Sequence, residues 1–409
     1  MDPSIATLET ALKAGLWNIA EERFNEWEEQ GTLKYNLEKR HPKTENRAIH
    51  LAAKYGAPKR IMERIIKACD ADGNLEHSEM YKLGDDDWTV LHYIAYGNGP
   101  IDTVDYILSV DKDARLLTKT TKMENWTPLH VAAAYRANPT LLARILTRHE
   151  EAGGEEGKAP LRLLPDSNNF MPLHWAVHVD SRVAARETTD QESIAIVKIL
   201  SNTMGEYVYD ARCTVKDERN VAYSCTAVQL ALRSNQATKE VIVQLIRDEE
   251  TIPTAPSSPS SKNKVKANQE KEGSKGTQEA MTMHIAARYC TSKDIIELIG
   301  KFFKQEIAKK DQEGRYPIHW AARSNRETDV VSKLLELEEE YHAGKKEKWD
   351  ADDKNKDGSE YIEPGRKVTE PDEKGMLPLH LACQSEAAPI TLIKLLLKAY
   401  DQRSEATEK

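Results

Sequence analysis

Histidine side chains are the residues of this chain best suited to binding a metal or transferring a proton. Seven of the twelve recur in one short motif, described below. His174 and His178 are four residues apart and would share a helical face, but no glutamate follows His174, as a zinc-binding H-E-x-x-H helix requires. The sequence therefore predicts no metal site and no cofactor. The histidines outside the motif show no metal-ligand spacing: His41, His77, His149, His178 and His342.

The cysteines do not form a recognisable site either. Their number is odd and no two form a C-x-x-C pair, so neither a disulfide framework nor a cysteine zinc site is indicated. Phosphate-binding loops, dinucleotide-binding glycine motifs, nucleophile elbows and protein-kinase motifs are absent from the sequence. We therefore predict no catalytic residue and expect a non-enzymatic protein. The five cysteines are Cys69, Cys213, Cys225, Cys290 and Cys383.

Two acidic stretches partly match a calcium-binding loop. Residues 353–358 place oxygen-bearing side chains at loop positions 1, 3 and 5 and glycine at position 6. The match then fails, because Glu360 occupies an aliphatic position and Pro364 replaces the terminal glutamate. Residues 70–75 resemble the loop less well, because Ala68 stands where the first aspartate is required. Solvated acidic loops are the favoured interpretation, and calcium binding is the alternative.

The histidine motif is an internal repeat. Its best copy is T-P-L-H-V-A-A at 127–133, and one copy, at 226–232, has Gln229 in place of histidine. Each copy precedes a run in which apolar residues recur three and four apart, as a helix buried on one face requires. The repeated unit is a turn, a short helix, a reverse turn and a longer helix. The remaining copies lie at 47–53, 89–92, 171–176, 281–287, 316–322 and 377–382.

The motif suits the start of a helix. Threonine before proline can accept a hydrogen bond from a free N–H of the first turn, and proline fits the first helical position. Threonine is kept only at positions 89, 127 and 226, so several first helices should lack this cap. The small alanine pair after the histidine lets neighbouring units approach closely.

This pattern resembles the ankyrin repeat, whose core is T-P-L-H-x-A, over roughly residues 44–400. The resemblance implies an all-α, ankyrin-type helical repeat solenoid with paired antiparallel helices and hairpin-like loops that project to one side. It also implies that the motif histidine is structural, bonding across to the adjacent turn, and that the protein binds other proteins. The spacing between motif histidines runs from 35 to 61 residues, so we expect an irregular stack with long inserts.

The repeats divide the chain into segments. We expect a degenerate N-terminal capping repeat at 1–43 and a polar tail at 401–409. We expect repeats 1–5 at 44–250 and repeats 6–8 at 280–400, with an insert at 340–372. Residues 251–279 between them read as a flexible linker or insert, because their Pro, Ser, Lys and Glu cannot bury enough apolar area to offset ordering.

Charge and hydropathy limit the partners and the compartment. The net charge of −9 argues against a general nucleic-acid binder. No apolar run approaches the ~18 residues of a membrane span, and the N-terminus lacks the pattern of a signal peptide. We expect an intracellular, cytoplasmic protein without a membrane span.

Residues just after the alanine pair carry an excess of arginine, lysine and tyrosine, which are candidates for partner binding. We expect this set, the basic–aromatic row, to favour an acidic or extended protein partner. The alternative is that these side chains cover the stack and pair with neighbouring carboxylates. Three aromatic residues in the turn before the motif, Trp88, Trp126 and Phe170, are either exposed anchors or packed against the adjacent turn. The row comprises Lys54, Tyr55, Tyr96, Tyr135, Arg136, His178, Arg233, Arg288, Tyr289 and Arg323.

Together these patterns predict a non-enzymatic scaffold or adaptor for protein–protein interaction. The alternative function is a regulatory adaptor switched by calcium or phosphorylation. That switch would act through residues 251–279, which include the Ser258-Pro259 dipeptide, or through residues 340–372.

Overall fold

A computed structural model describes the chain as two compact units, residues 1–214 and 215–409. The predicted division by repeats, at 44–250 and 280–400, stays a prediction. The predicted linker at 251–279 lies outside the described residues except for positions 278–279. Described are residues 3–70, 78–152, 160–178, 183, 186–201, 212–216, 222–234, 238–250, 278–279, 281–324, 327–351, 367–384 and 388–407.

The first unit consists of helix pairs, in which a short first helix precedes a longer second helix. A pair at the N-terminus, α1 and α2, and the short helix α3 precede the repeats. The helices are α1 Pro3–Lys13, α2 Trp17–Glu29, α3 Leu33–Glu38, α4 Ala48–Lys54, α5 Lys59–Cys69, α6 Val90–Gly97, α7 Ile101–Val110, α8 Pro128–Ala134, α9 Pro139–Glu151, α10 Pro172–Val177 and α11 Asp190–Ser201.

The second unit repeats this arrangement, which confirms the predicted all-α repeat solenoid. Its helices are α12 Ala227–Ser234, α13 Lys239–Glu250, α14 Thr282–Tyr289, α15 Lys293–Phe302, α16 Pro317–Arg323, α17 Thr328–Ala351, α18 Pro378–Cys383 and α19 Ile390–Thr407. Short strands that we did not predict lie before α12 and α14: β1 Cys213–Lys216, β2 Ala222–Cys225 and β3 Gln278–Glu279. β2 pairs with β3 in parallel, with Tyr223 opposite Gln278.

The core lies between successive repeats. Every residue of α8 is buried, whereas α5 buries one face through Ile61, Met62, Ile65 and Ile66. First helices pack against first helices, α4 against α6 and α6 against α8. Gly97 permits this approach, because a β-carbon there would collide with the backbone carbonyl of Lys54.

The motif starts each first helix as predicted where threonine is present. The Thr127 hydroxyl accepts a hydrogen bond from the His130 N–H at 3.4 Å, and His130 Nδ1 accepts one from the Thr127 N–H at 3.2 Å. Where tyrosine or leucine replaces threonine, the histidine bond persists: His319 Nδ1 accepts from the Tyr316 N–H at 3.2 Å. The histidine therefore satisfies the start of the helix even in repeats that lack the threonine cap.

Two helices continue into the segments 340–372 and 401–409. α17 continues to Ala351 and so enters the expected insert at 340–372, because Leu337 and His342 prolong its buried face. α19 continues to Thr407, so the residues expected to form a polar tail are helical as far as that position. Neither proline nor glycine interrupts residues 390–407, which permits the extension.

Candidate protein-binding surface

The basic–aromatic row lies at the carboxyl ends of the first helices and in the turns that follow them. Lys54 ends α4, Tyr96 is the penultimate residue of α6, and Tyr135 follows α8 directly. Because neighbouring first helices pack side by side, a residue type that recurs at this position lies beside its equivalents in the next repeats. The fold of each unit therefore places the row on successive first helices.

In the first unit Lys54, Tyr55, Tyr96 and Tyr135 of the row form an aromatic cluster around one ammonium group. The Lys54 ammonium lies 5.8 Å from the centre of the Tyr55 ring and 5.9 Å from that of Tyr96. The rings of Tyr96 and Tyr135 meet edge to face, with centroids 4.7 Å apart. These are favourable cation–π and aromatic geometries, and Tyr96 remains exposed to solvent.

Trp88 extends this cluster, whereas the other two aromatic residues of the preceding turns are packed. Trp126 and Phe170 are buried, as one of the two interpretations expected. Trp88 is half-buried, and its ring lies 5.9 Å from that of Tyr96. It lines a cavity of about 270 Å³ that Lys54 and Tyr96 also border, with Asp85 and Asp86 at the same cavity.

Arg136 and His178 are also in the first unit, but their surroundings differ from those of the tyrosines. Arg136 has a φ of 52°, in the left-handed region that Gly56 and Asn98 occupy at the corresponding turns. Burial lowers the pKa of its guanidinium. The His178 ring lies 5.5 Å from that of Phe170 and 5.7 Å from that of Trp175.

In the second unit the row is a stack of arginines on aromatic rings. The Arg288 guanidinium lies 4.6 Å from the centre of the Trp320 ring and 5.0 Å from that of Tyr289. Arg233 lies 5.8 Å from Tyr289, and the exposed Arg323 lies 5.7 Å from Trp320. Sequence reasoning missed Trp320. Its signal was its place directly after the motif histidine, the position that Trp175 occupies in another repeat.

One contact of the row matches the alternative of pairing with carboxylates. The Tyr55 hydroxyl donates a hydrogen bond to Glu9 Oε1 at 3.5 Å. Burial, followed by the charge of Glu9, raises the pKa of Tyr55. Tyr55 thus covers the junction with the N-terminal helix pair, while Tyr96 and Arg323 lie towards solvent.

Four motif histidines, His50, His92, His130 and His284, bond across to the adjacent turn as the resemblance implied. His92 Nε2 bonds the carbonyl of Trp126 at 2.9 Å, and His130 Nε2 bonds that of Phe170 at 3.1 Å, each in the turn before the next motif. Because their Nδ1 atoms accept from backbone N–H groups, these rings are neutral and donate through Nε2. Burial lowers the pKa of His92 to about 4, which keeps it neutral at physiological pH.

Aspartates in the turns before the motif were not predicted. Asp166 Oδ1 accepts from the N–H groups of Asn168 and Phe170, both at 2.8 Å. Its Oδ2 accepts from the indole N–H groups of Trp126 at 3.1 Å and Trp175 at 2.9 Å. Asp311 and Asp372 bind their own turns in the same way. The signal in the sequence was an aspartate five residues before the first residue of the motif.

The calcium-like stretches lie mostly outside the described residues, which exclude 71–77 and 352–366. Asp70 is described, and its carboxylate accepts from the Ser78 hydroxyl and, at 2.9 Å, from the Glu79 N–H. Asp70 therefore fastens the end of α5 to the following turn.

A family model for ankyrin repeats, in three copies, matches residues 49–152 and 283–406, more than half of the chain. The chain belongs to the ankyrin repeat family. Ankyrin repeats are protein–protein interaction modules and are typically non-enzymatic. No curated protein matches the chain. Within the described part of the chain, no helix combines the length and apolar character needed to cross a membrane.

Proposed function

We propose that the protein is a non-enzymatic scaffold or adaptor that binds an acidic or extended protein segment along the basic–aromatic row. The observation that carries this proposal is the stacking of cations on rings across successive first helices, from Lys54 to Tyr135 in one unit and from Arg233 to Arg323 in the other. Tyrosine, tryptophan and arginine are the residues that most often dominate binding energy at protein interfaces.

Contact with an aromatic ring also orders an arginine side chain. The Arg288 guanidinium lies 4.6 Å from the centre of the Trp320 ring. A side chain that is ordered in advance loses less entropy when a partner binds.

Charge reversal of Arg288 and Arg323 together tests the proposal. Proteins captured from cell extract by the full chain are compared with those captured by R288E/R323E and by the control K394E/K398E. The control makes the same change of charge at exposed positions of α19. We expect one partner to be retained by the unaltered chain and the control but lost by R288E/R323E. Equal capture by all three chains, each folded by circular dichroism, would contradict the proposal.

Regulation by calcium or phosphorylation is the alternative proposal, and it depends on segments 251–279 and 340–372. Its support is the sequence pattern of those segments, most of which lies outside the described residues. Calorimetry of the full chain with calcium separates the two proposals. If calcium produces no heat of binding and no shift in melting temperature, regulation by calcium is ruled out.

We further propose a cytoplasmic location and no binding of nucleic acid, in line with the acidic net charge.

A further inference from the structure

Three potential metal ligands from separate elements meet at the end of the first repeat's second helix. Glu38 ends α3, Cys69 ends α5, and Glu79 begins the short helix Glu79–Tyr81. One ligand atom from each lies within 4.8 Å of the others. The residues are 31 and 10 positions apart in the chain, so no spacing motif could reveal this cluster.

Glu79 is the unusual member of the cluster, because it is a carboxylate buried almost completely. Only 2% of the surface of Glu79 is exposed to solvent. Arg47 binds only one carboxylate oxygen, with its Nη1 2.9 Å from Glu79 Oε2. The other oxygen, Oε1, is buried without a hydrogen-bond partner in the described part of the chain. A buried carboxylate oxygen left unpaired is costly, so its position calls for a positively charged or hydrogen-bonding ligand.

We propose that Glu38, Cys69 and Glu79 bind a zinc ion. Zinc accepts thiolate and carboxylate ligands at about 2.0–2.3 Å, which places the ligand atoms about 3.5 Å apart in a tetrahedron. A separation of at most 4.8 Å closes to that distance through small side-chain rotations. Three protein ligands leave the fourth position for water.

Zinc binds cysteine as the thiolate. Burial, followed by the charge of Glu79, raises the pKa of the Cys69 thiol, so binding has to displace a proton. When zinc binds, the S–H bond breaks, a zinc–sulfur bond forms and the proton passes to solvent. The Glu38 side chain is 39% exposed and provides the path of entry.

The bound ion would join the N-terminal helices to the first repeat. α3 and α5 already pack against each other, and the short helix Glu79–Tyr81 contacts α5. A zinc ion held by one residue from each would cross-link three elements that otherwise meet through side-chain packing. The proposal is independent of the basic–aromatic row.

Cobalt titration tests the site, because a cobalt–thiolate bond absorbs in the near ultraviolet by charge transfer. The protein is the full chain with Cys383→Ser, which removes a thiol exposed at the surface. It is reduced with a phosphine and freed of metal by chelation. We expect the band to saturate at one cobalt per chain and to disappear when zinc is added. If cobalt produces no such band, the proposal is wrong.

Variants then assign the ligands. Adding Cys69→Ser should abolish the band, and adding Glu79→Gln or Glu38→Gln should weaken cobalt binding at least tenfold. Glu63→Gln is the matched control, because Glu63 lies on α5 and its Oε1 pairs with Lys67 Nζ at 2.7 Å. It should leave binding unchanged. A band that survives Cys69→Ser would assign the metal to another thiol and overturn the proposal. Circular dichroism confirms that each variant is folded.

Discussion

The two units place different side chains on the same backbone position. In residues 1–214 the basic–aromatic row includes three tyrosines, with Tyr96 against Tyr135 and the Lys54 ammonium beside them, and Arg136 lies in the turn after Tyr135. In residues 215–409 three arginines lie against Tyr289 and Trp320. An aromatic surface binds through apolar contact, whereas an arginine surface binds through charge and hydrogen bonds. The repeat therefore fixes where the row lies, and the side chains fix what each unit can recognise.

The second unit also departs from the motif histidine at two positions, 229 and 380, although its His284 and His319 are buried like those of the first unit. His50, His92 and His130 are all fully buried in the first unit. In the second unit Gln229 takes the place of one histidine, and His380 is exposed. Gln229 keeps both functions of the histidine, because its Oε1 accepts from the Thr226 N–H at 3.0 Å and its Nε2 donates to the Thr282 hydroxyl at 3.0 Å.

Removal of a motif histidine should give the largest effect and should differ between buried and exposed positions. His130→Ala leaves a cavity and takes away the acceptor of the buried Thr127 N–H, so we expect the free energy of unfolding to fall by about 3 kcal/mol. His380→Ala, at an exposed position, should cost less than about 0.5 kcal/mol. Urea denaturation of both variants measures the difference. Equal losses would contradict the distinction between buried and exposed motifs.

Salt should separate the two parts of the proposed binding surface. Tyr96→Ala and Arg288→Glu should each weaken partner binding by about 30-fold, as removal of an interface anchor does. Raising the ionic strength should reduce the contribution of Arg288 and leave that of Tyr96 nearly unchanged, because salt screens charge but not apolar contact. Titration calorimetry of both variants in low and high salt, with the captured partner, checks this. The same salt dependence for both residues would remove the proposed difference.

Acid should destabilise the first unit through its buried motif histidines, because burial lowers the pKa of His50, His92 and His130 to about 4. The folded pKa of His92 is about 4, below the 6.5 of an unperturbed histidine, so the unfolded chain binds the extra proton. The contribution of neutral His92 to the free energy of unfolding is therefore present above pH 6.5 and is lost as the pH falls towards 4. At about pH 5 each such histidine costs about 2 kcal/mol.

His92→Gln, which copies the residue found at position 229, tests this acid effect. The variant should show a smaller fall in urea midpoint between neutral and acidic pH than the unaltered chain. Identical falls would mean that His92 does not carry the acid sensitivity.

Arg136→Gly should give the smallest effect, and it tests whether the backbone at this turn is strained. Glycine adopts a φ of 52° without strain, so stability should rise by about 0.5 kcal/mol. Arg136→Ala removes the same side chain but keeps the strained backbone and should bring no gain. If both variants are equally stable by urea denaturation, strain at this turn is not significant.

Much of the fold was predictable because the repeat is local. The motif specifies a cap, a short helix and an alanine contact within seven residues, and each of these depends on neighbours in the chain. The sequence did not predict the ends of α17 and α19, because charged residues are compatible with both a loop and an extended helix. The strands β1–β3 were missed because β2 and β3 pair across more than fifty residues.

The sequence by itself determined the repeat, the family and the backbone positions of the basic–aromatic row, since all of these follow from recurring short patterns. Only the tertiary structure decided which side chains meet. It brought Trp320 under Arg288, set Asp166 between two tryptophans and gathered Glu38, Cys69 and Glu79 at one point. The physical reason is that these contacts join residues from different helices and turns. Their distances depend on how the helices pack, which the spacing along the chain does not specify.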